Sequence, residues 1–129
     1  MAYRDRALII DSLGNNWNAT GTTAAGTTVA VSSPTPAAKE RIHLNQLGWS
    51  IRNAGAAAYT ATLNVRGAGA TVIAAWDIQV AAAASLQDSW AVNLMGKRGA
   101  AMTVDFGTPA ASIVQRVSVA GWRDTLSDG

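Results

Sequence analysis

The stretch from Tyr59 to Val80 constrains this chain most. In steps of two, Tyr59, Ala61, Leu63 and Val65 share one face, and after Gly67–Gly69 the alternation resumes with Val72, Ala74, Trp76, Ile78 and Val80. The positions between them are largely small or polar: Thr60, Thr62, Asn64 and Arg66, then Thr71, Asp77 and Gln79. A period of two marks a half-buried strand, because successive side chains point to opposite faces. Two such runs joined by a short Gly-containing loop predict a β-hairpin.

The same period recurs along the chain. Arg41–Arg52 places Ile42 and Leu44 on one face, then shifts by one step to Leu47, Trp49 and Ile51, which predicts a bulge near Gly48. Ser89–Leu94 aligns Trp90, Val92 and Leu94, and Ala100–Phe106 aligns Met102, Val104 and Phe106. Ser112–Trp122 is apolar on both faces, as expected of a central strand. Ala74–Gln87 is rich in alanine, a helix former. No apolar stripe at helical spacing continues through Ser85–Asp88, so the reading there is strand followed by loop.

Residues 1–40 differ. Ala7–Ile10 is apolar, 11–26 is polar and rich in Gly, Asn and Thr, and Val29 and Val31 mark a short strand before Pro34 and Pro36 break the pattern. This is read as an extended N-terminal arm with short strands, lying partly on a neighbouring molecule, or as a locally packed loop with edge strands. Residues 41–129 then form one domain. The fold class is all-β: a single antiparallel β-sandwich or jelly roll of about eight strands.

Composition narrows the function. Only 14% of the chain is charged, against roughly 25% in typical soluble domains. Such a surface suits packing against other subunits. The net charge is +2 with the basic residues scattered along the sequence, so no nucleic-acid partner is expected. There is no cysteine, hence no disulfide and no thiolate metal site. No segment nears the roughly 20 apolar residues of a membrane helix, and no signal peptide is expected.

No enzyme is expected either, and no cofactor or metal. The single histidine, His43, stands on the face opposite Ile42 and Leu44, and reads as an exposed or interface residue. Asp77, Asp88 and Asp105 read as partners of Arg52, Arg66 or Arg116, or as solvated. Trp49, Trp76, Trp90 and Trp122 alternate with apolar residues and read as packing anchors. Trp17 lies in a polar stretch beside Asn15, Asn16 and Asn18, and is expected to stand exposed as a contact residue.

The segments Leu47-Gly-Trp-Ser-Ile-Arg-Asn-Ala-Gly, Ala61-Thr-Leu-Asn-Val-Arg-Gly, Thr71-Val-Ile-Ala-Ala-Trp and Ser118-Val-Ala-Gly-Trp resemble, in that order, the small jelly-roll decoration (cement) proteins of tailed bacteriophage heads. The likeness covers Arg41 to Trp122 and departs at Ala81–Ala84, where that group carries a Gly-rich turn. It implies a virion structural protein, assembled in the host cytoplasm, that binds the outer face of the capsid between capsomers. The implied partners are the major capsid protein and further copies of itself, as a homotrimer. The expected contact residues are Arg4, Arg6, Leu8, Ile9, Ile10 and Trp17. The alternative is a tail or fibre module recognising a cell-surface glycan through Trp17.

Overall fold

A computed structural model describes residues 16–125. Arg4, Arg6, Leu8, Ile9 and Ile10 lie outside the described residues. Among the described residues eight strands follow one another: β1 (Asn16–Thr22), β2 (Ala30–Ser32), β3 (Glu40–Asn53), β4 (Tyr59–Arg66), β5 (Val72–Val80), β6 (Ala84–Met95), β7 (Thr103–Phe106) and β8 (Ile113–Thr125). They form two four-stranded antiparallel sheets, one in the order β1-β8-β3-β6 and the other β2-β7-β4-β5. This is a jelly roll: the chain is folded double about the β4–β5 turn, and each strand of the first half pairs with its counterpart in the second. The first sheet is called sheet A below and the second sheet B.

The Tyr59–Val80 hairpin is as its alternation predicts, with Ala61 opposite Ile78 and Leu63 opposite Trp76. Its turn contains a 3-10 segment, Ala68–Ala70, with Gly69 at φ 63°. The bulge in β3 is also present. Both ladders shift register between Leu44 and Gln46, a few residues before Gly48. Leu44, Leu47 and Ile51 can therefore all point inward, against Leu63, Val65 and Phe106 of the other sheet.

Two expectations need correction. Ser85–Asp88 is strand, not loop, because β3 has a partner for it: Ile51 pairs with Leu86 and Trp49 with Asp88. Both faces of that stretch are exposed, so no alternation betrayed it. Trp17, expected to stand exposed, is only 7% accessible. It sits opposite Gly121 in the β1–β8 ladder and faces the core. Residues 16–40 supply an edge strand to each sheet, β1 beside β8 and β2 beside β7.

Candidate interaction surfaces

The two ends of the sandwich differ in charge. At one end lie the start of β3, the end of β8 and the β6–β7 turn, tied by bonds from the Gly96 amide to the Ile42 carbonyl and from the Gly99 amide to the Glu40 carbonyl. This end holds Lys39, Arg41, Lys97, Arg98 and Arg123 against Glu40 and Asp124. The loops at the other end span 23–29, 54–58, 81–83 and 107–112 and contain no charged residue. Asn53, buried at 2%, ties two of them together. Its amide donates to the carbonyls of Ala57 (2.9 Å) and Ala81 (3.2 Å) and accepts from the Gly55 N–H (2.9 Å).

Strand register builds the charged end. On the outer face of sheet A, Arg41 stands opposite Asp124 and His43 opposite Trp122. The His43 ring stacks on Trp122 at 3.8 Å and 5°. Its Nε2 meets Asp124 Oδ2. Arg41 donates to the same oxygen from Nε and from its terminal nitrogen, both at 3.1 Å, and Arg98 donates to Oδ1 at 2.6 Å. Arg98 also donates to the Lys39 carbonyl at 2.9 Å, which holds the β6–β7 turn against β3. Burial disfavours the Asp124 carboxylate, but the bonds from His43, Arg98 and Arg41 and the Arg41 charge outweigh it, so its pKa falls from 3.8 to about 2. His43 is thus a half-buried member of a cluster, not a free surface group.

That depressed pKa has a sign. The stabilisation is complete above the ordinary carboxylate range and is lost as pH falls from 3.8 through about 2. Asp124→Asn is expected to cost about 1–2 kcal/mol near neutral pH, allowing for partial solvent screening. Denaturant titrations at several pH values check this. The gap between the two proteins should narrow toward pH 2; a gap constant with pH would assign the loss to packing instead.

The remaining carboxylates are partly as expected. Asp105 pairs with Arg66 at 2.7 Å and accepts from Asn64 at 3.2 Å. Asp77 accepts from the Thr62 hydroxyl at 2.8 Å. Asp88 accepts from the Ser89 N–H (2.8 Å) and from Trp90 Nε1 (3.0 Å). Neither Arg52 nor Arg116 makes an ion pair among the described residues. The described residues contain no group of three or more His, Cys, Asp or Glu able to hold a metal.

A third surface is the β5–β6 side, where the outer strands of the two sheets lie next to each other. Between Val72 and Met95 the only charges are Asp77 and Asp88. Trp90 bridges the sheets, with its ring 5.5 Å from Trp49 in sheet A and 5.3 Å from Trp76 in sheet B. Val72, Ile73 and Leu86 are 44%, 42% and 44% exposed along this side. Trp49, Trp76 and Trp90 are packing residues, as their alternation predicts. Sequence reasoning missed the Asp124 cluster. The signal for it was an Arg-x-His on β3 and a Trp-x-Asp on β8, each on one strand face, which carry meaning only once the two strands are paired.

No family model and no curated protein matches the sequence. Among solved structures, it is similar to part of dimeric latent PorU from Porphyromonas gingivalis, at 11% identity and a TM-score of 0.50, over 89% of this chain and 13% of that one. It is similar to part of a ruminal GH26 endo-β-1,4-mannanase at 10% identity and a TM-score of 0.43, over 81% of this chain and 19% of that one. It is also similar to a chain of the empty top-component particle of cowpea mosaic virus, at 11% identity and a TM-score of 0.44, over 87% and 88% of the two chains. At these identities the likeness is one of fold.

Proposed function

We propose that this chain is a structural virion protein, a decoration protein that binds the outer face of a phage head between capsomers and stabilises the shell. The observation that carries this reading is the division of charge between the ends of the sandwich. Five cations against two carboxylates gather at the end where Asn16 pairs with Trp122. Asn16, which in the sequence follows the stretch holding Arg4, Arg6, Leu8, Ile9 and Ile10, lies at this same end. A basic end with an apolar leader, whose Arg4 and Arg6 are balanced by Asp5 and Asp11, fits an acidic, partly apolar surface such as a major capsid protein would offer. Several modest contacts made at once give tight occupancy, since each later contact forms at high effective concentration. Three copies around a threefold axis complete the reading, with the β5–β6 side available for contact between copies. The protein would then be assembled in the host cytoplasm and reside on the capsid surface.

The test uses expanded heads that lack the protein. Added full-length protein should bind them and raise their resistance to heat and chaotropes; failure of both rejects the reading. Removal of residues 1–15 should abolish binding and leave the sandwich folded, and retained binding would reject the leader's part. The truncation must stop before Asn16, because Trp17 belongs to the core. Light scattering on the purified protein tests the trimer. The burial of Trp17 also removes the residue on which glycan recognition by an exposed Trp17 rested.

A further inference from the structure

The outer face of sheet A carries a continuous shallow trough along β3 and β6. Four depressions of about 450, 450, 440 and 190 Å3 follow one another from Asn45 and Ala91 to Ala54 and Ala83, each sharing residues with the next. Cross-strand rows form its bed. One reads Thr20, Ser118, Gly48, Ser89 across the four strands, and the next reads Thr22, Arg116, Ser50, Gln87. In the third, Arg52 lies between Val114 and Ser85. Hydroxyls and a carboxamide offer donors and acceptors along the line, and no aromatic ring interrupts these rows.

Two observations single out this trough. Arg41, Arg66, Arg98 and Arg123 each have a carboxylate partner, at 3.1, 2.7, 2.6 and 3.9 Å, whereas Arg52 and Arg116, which both line the trough, have none among the described residues. Both are exposed, and register makes them diagonal neighbours on one face. Asp88, which lines the trough with Arg116, is already bonded by the Trp90 indole and the Ser89 amide. The second observation is Gly48. A Cβ there would lie 3.5 Å from the Ser118 carbonyl oxygen and 3.8 Å from the Ser118 Cβ, ordinary contact distances. Packing therefore does not demand glycine at this position, yet the missing side chain keeps the middle of the trough open.

We propose that the trough binds a linear polysaccharide bearing carboxylates, with Arg116 and Arg52 on successive acidic groups and Ser50, Gln87, Ser89 and Ser118 on ring hydroxyls. Two adjacent unpaired guanidiniums call for an anionic ligand, because a forked donor matches a carboxylate. The surrounding hydroxyls and amide suit a polyhydroxyl chain. A single-stranded nucleic acid is the lesser fit, since its bases need aromatic rings to stack on and the rows supply none. This inference goes beyond the capsid role and does not depend on it.

The experiment measures binding of the full-length protein to alginate and polygalacturonate, to neutral polysaccharides of similar length and to single-stranded DNA, at two salt concentrations. The expected result is salt-sensitive binding to the uronate polymers. It should weaken about tenfold in Arg116→Ala, and again in Arg52→Ala, as befits lost charge-assisted hydrogen bonds. Arg66→Ala, which lies on sheet B and is paired with Asp105, should bind as the parent does. Gly48→Val fills the trough with a residue that suits a strand, so it should fold at least as stably and bind poorly. Absence of uronate binding, binding indifferent to Arg52, Arg116 and Gly48, or preference for single-stranded DNA would each overturn the proposal.

Discussion

Gly121→Ala is expected to destabilise the protein by about 3 kcal/mol or more, the upper range for overpacking, and to lower its melting temperature by about 10 °C or more. The cause is the bulge in β3. Gly121 stands opposite Leu44, where the register shifts, and opposite Trp17 on its other side. An added Cβ would overlap the carbonyl oxygen of His43, and would lie 2.9 Å from the carbonyl carbon and 3.0 Å from Trp17 Cζ2. Two of these are backbone atoms held in a ladder, and the third belongs to a buried ring. None can yield cheaply. Gly107→Ala is the control, since its Cβ would meet nothing within 4 Å, and it is expected to change stability by less than about 0.5 kcal/mol. Thermal unfolding of the two variants beside the parent decides the matter. Equal melting temperatures would mean that the bulge relaxes at no cost.

The second large effect has the opposite sign. Gln115 is 1% accessible, on the core face of β8 between Ile113 and Val117, and neither its Nε2 nor its Oε1 has a hydrogen-bond partner among the described residues. A buried amide without partners costs about 1–3 kcal/mol of desolvation. Gln115→Met keeps the length and the unbranched shape and removes both polar atoms. It should stabilise the protein by about 1–2 kcal/mol, read as a higher denaturant midpoint with an unchanged slope. A neutral or destabilised Met variant would show that the amide is satisfied in solution.

Much of the fold was legible because one sheet face is buried. Leu63, Val65, Ile78 and Val80 alternate with polar neighbours, and that alternation placed the hairpin correctly. It failed at β1 for a physical reason. The inward positions there are Trp17, Ala19 and Gly21, and two of the three are too small to register as hydrophobic. Gly21 is small because Val31 crowds it: a Cβ would come within 2.6 Å of a Val31 methyl group. Without the period, a core tryptophan in a polar stretch read as an exposed one. The charged cluster was hidden by distance, since Arg41 and Asp124 lie 83 positions apart. Nothing local to either residue indicates the other. The unpaired state of Arg52 and Arg116 was equally out of reach, because it depends on which strands adjoin and where each carboxylate is already engaged.

The doubling of the chain about the β4–β5 turn bears on the order of folding. The central hairpin closes a loop of a few residues, whereas joining β1 to β8 brings together residues such as Thr20 and Ser118, 98 positions apart. The entropy of closure rises with the span, and each inner pair that has formed shortens the loop left for the next. Strand pairing should therefore proceed outward from Gly69, slowly, as in other folds dominated by distant contacts. β1 is last in this sequence and outermost in its sheet, so it can leave without breaking any other pair. Its departure bares the edge of β8 and uncovers the indole of Trp17, so amide exchange and tryptophan fluorescence should both report β1 as the first strand to open.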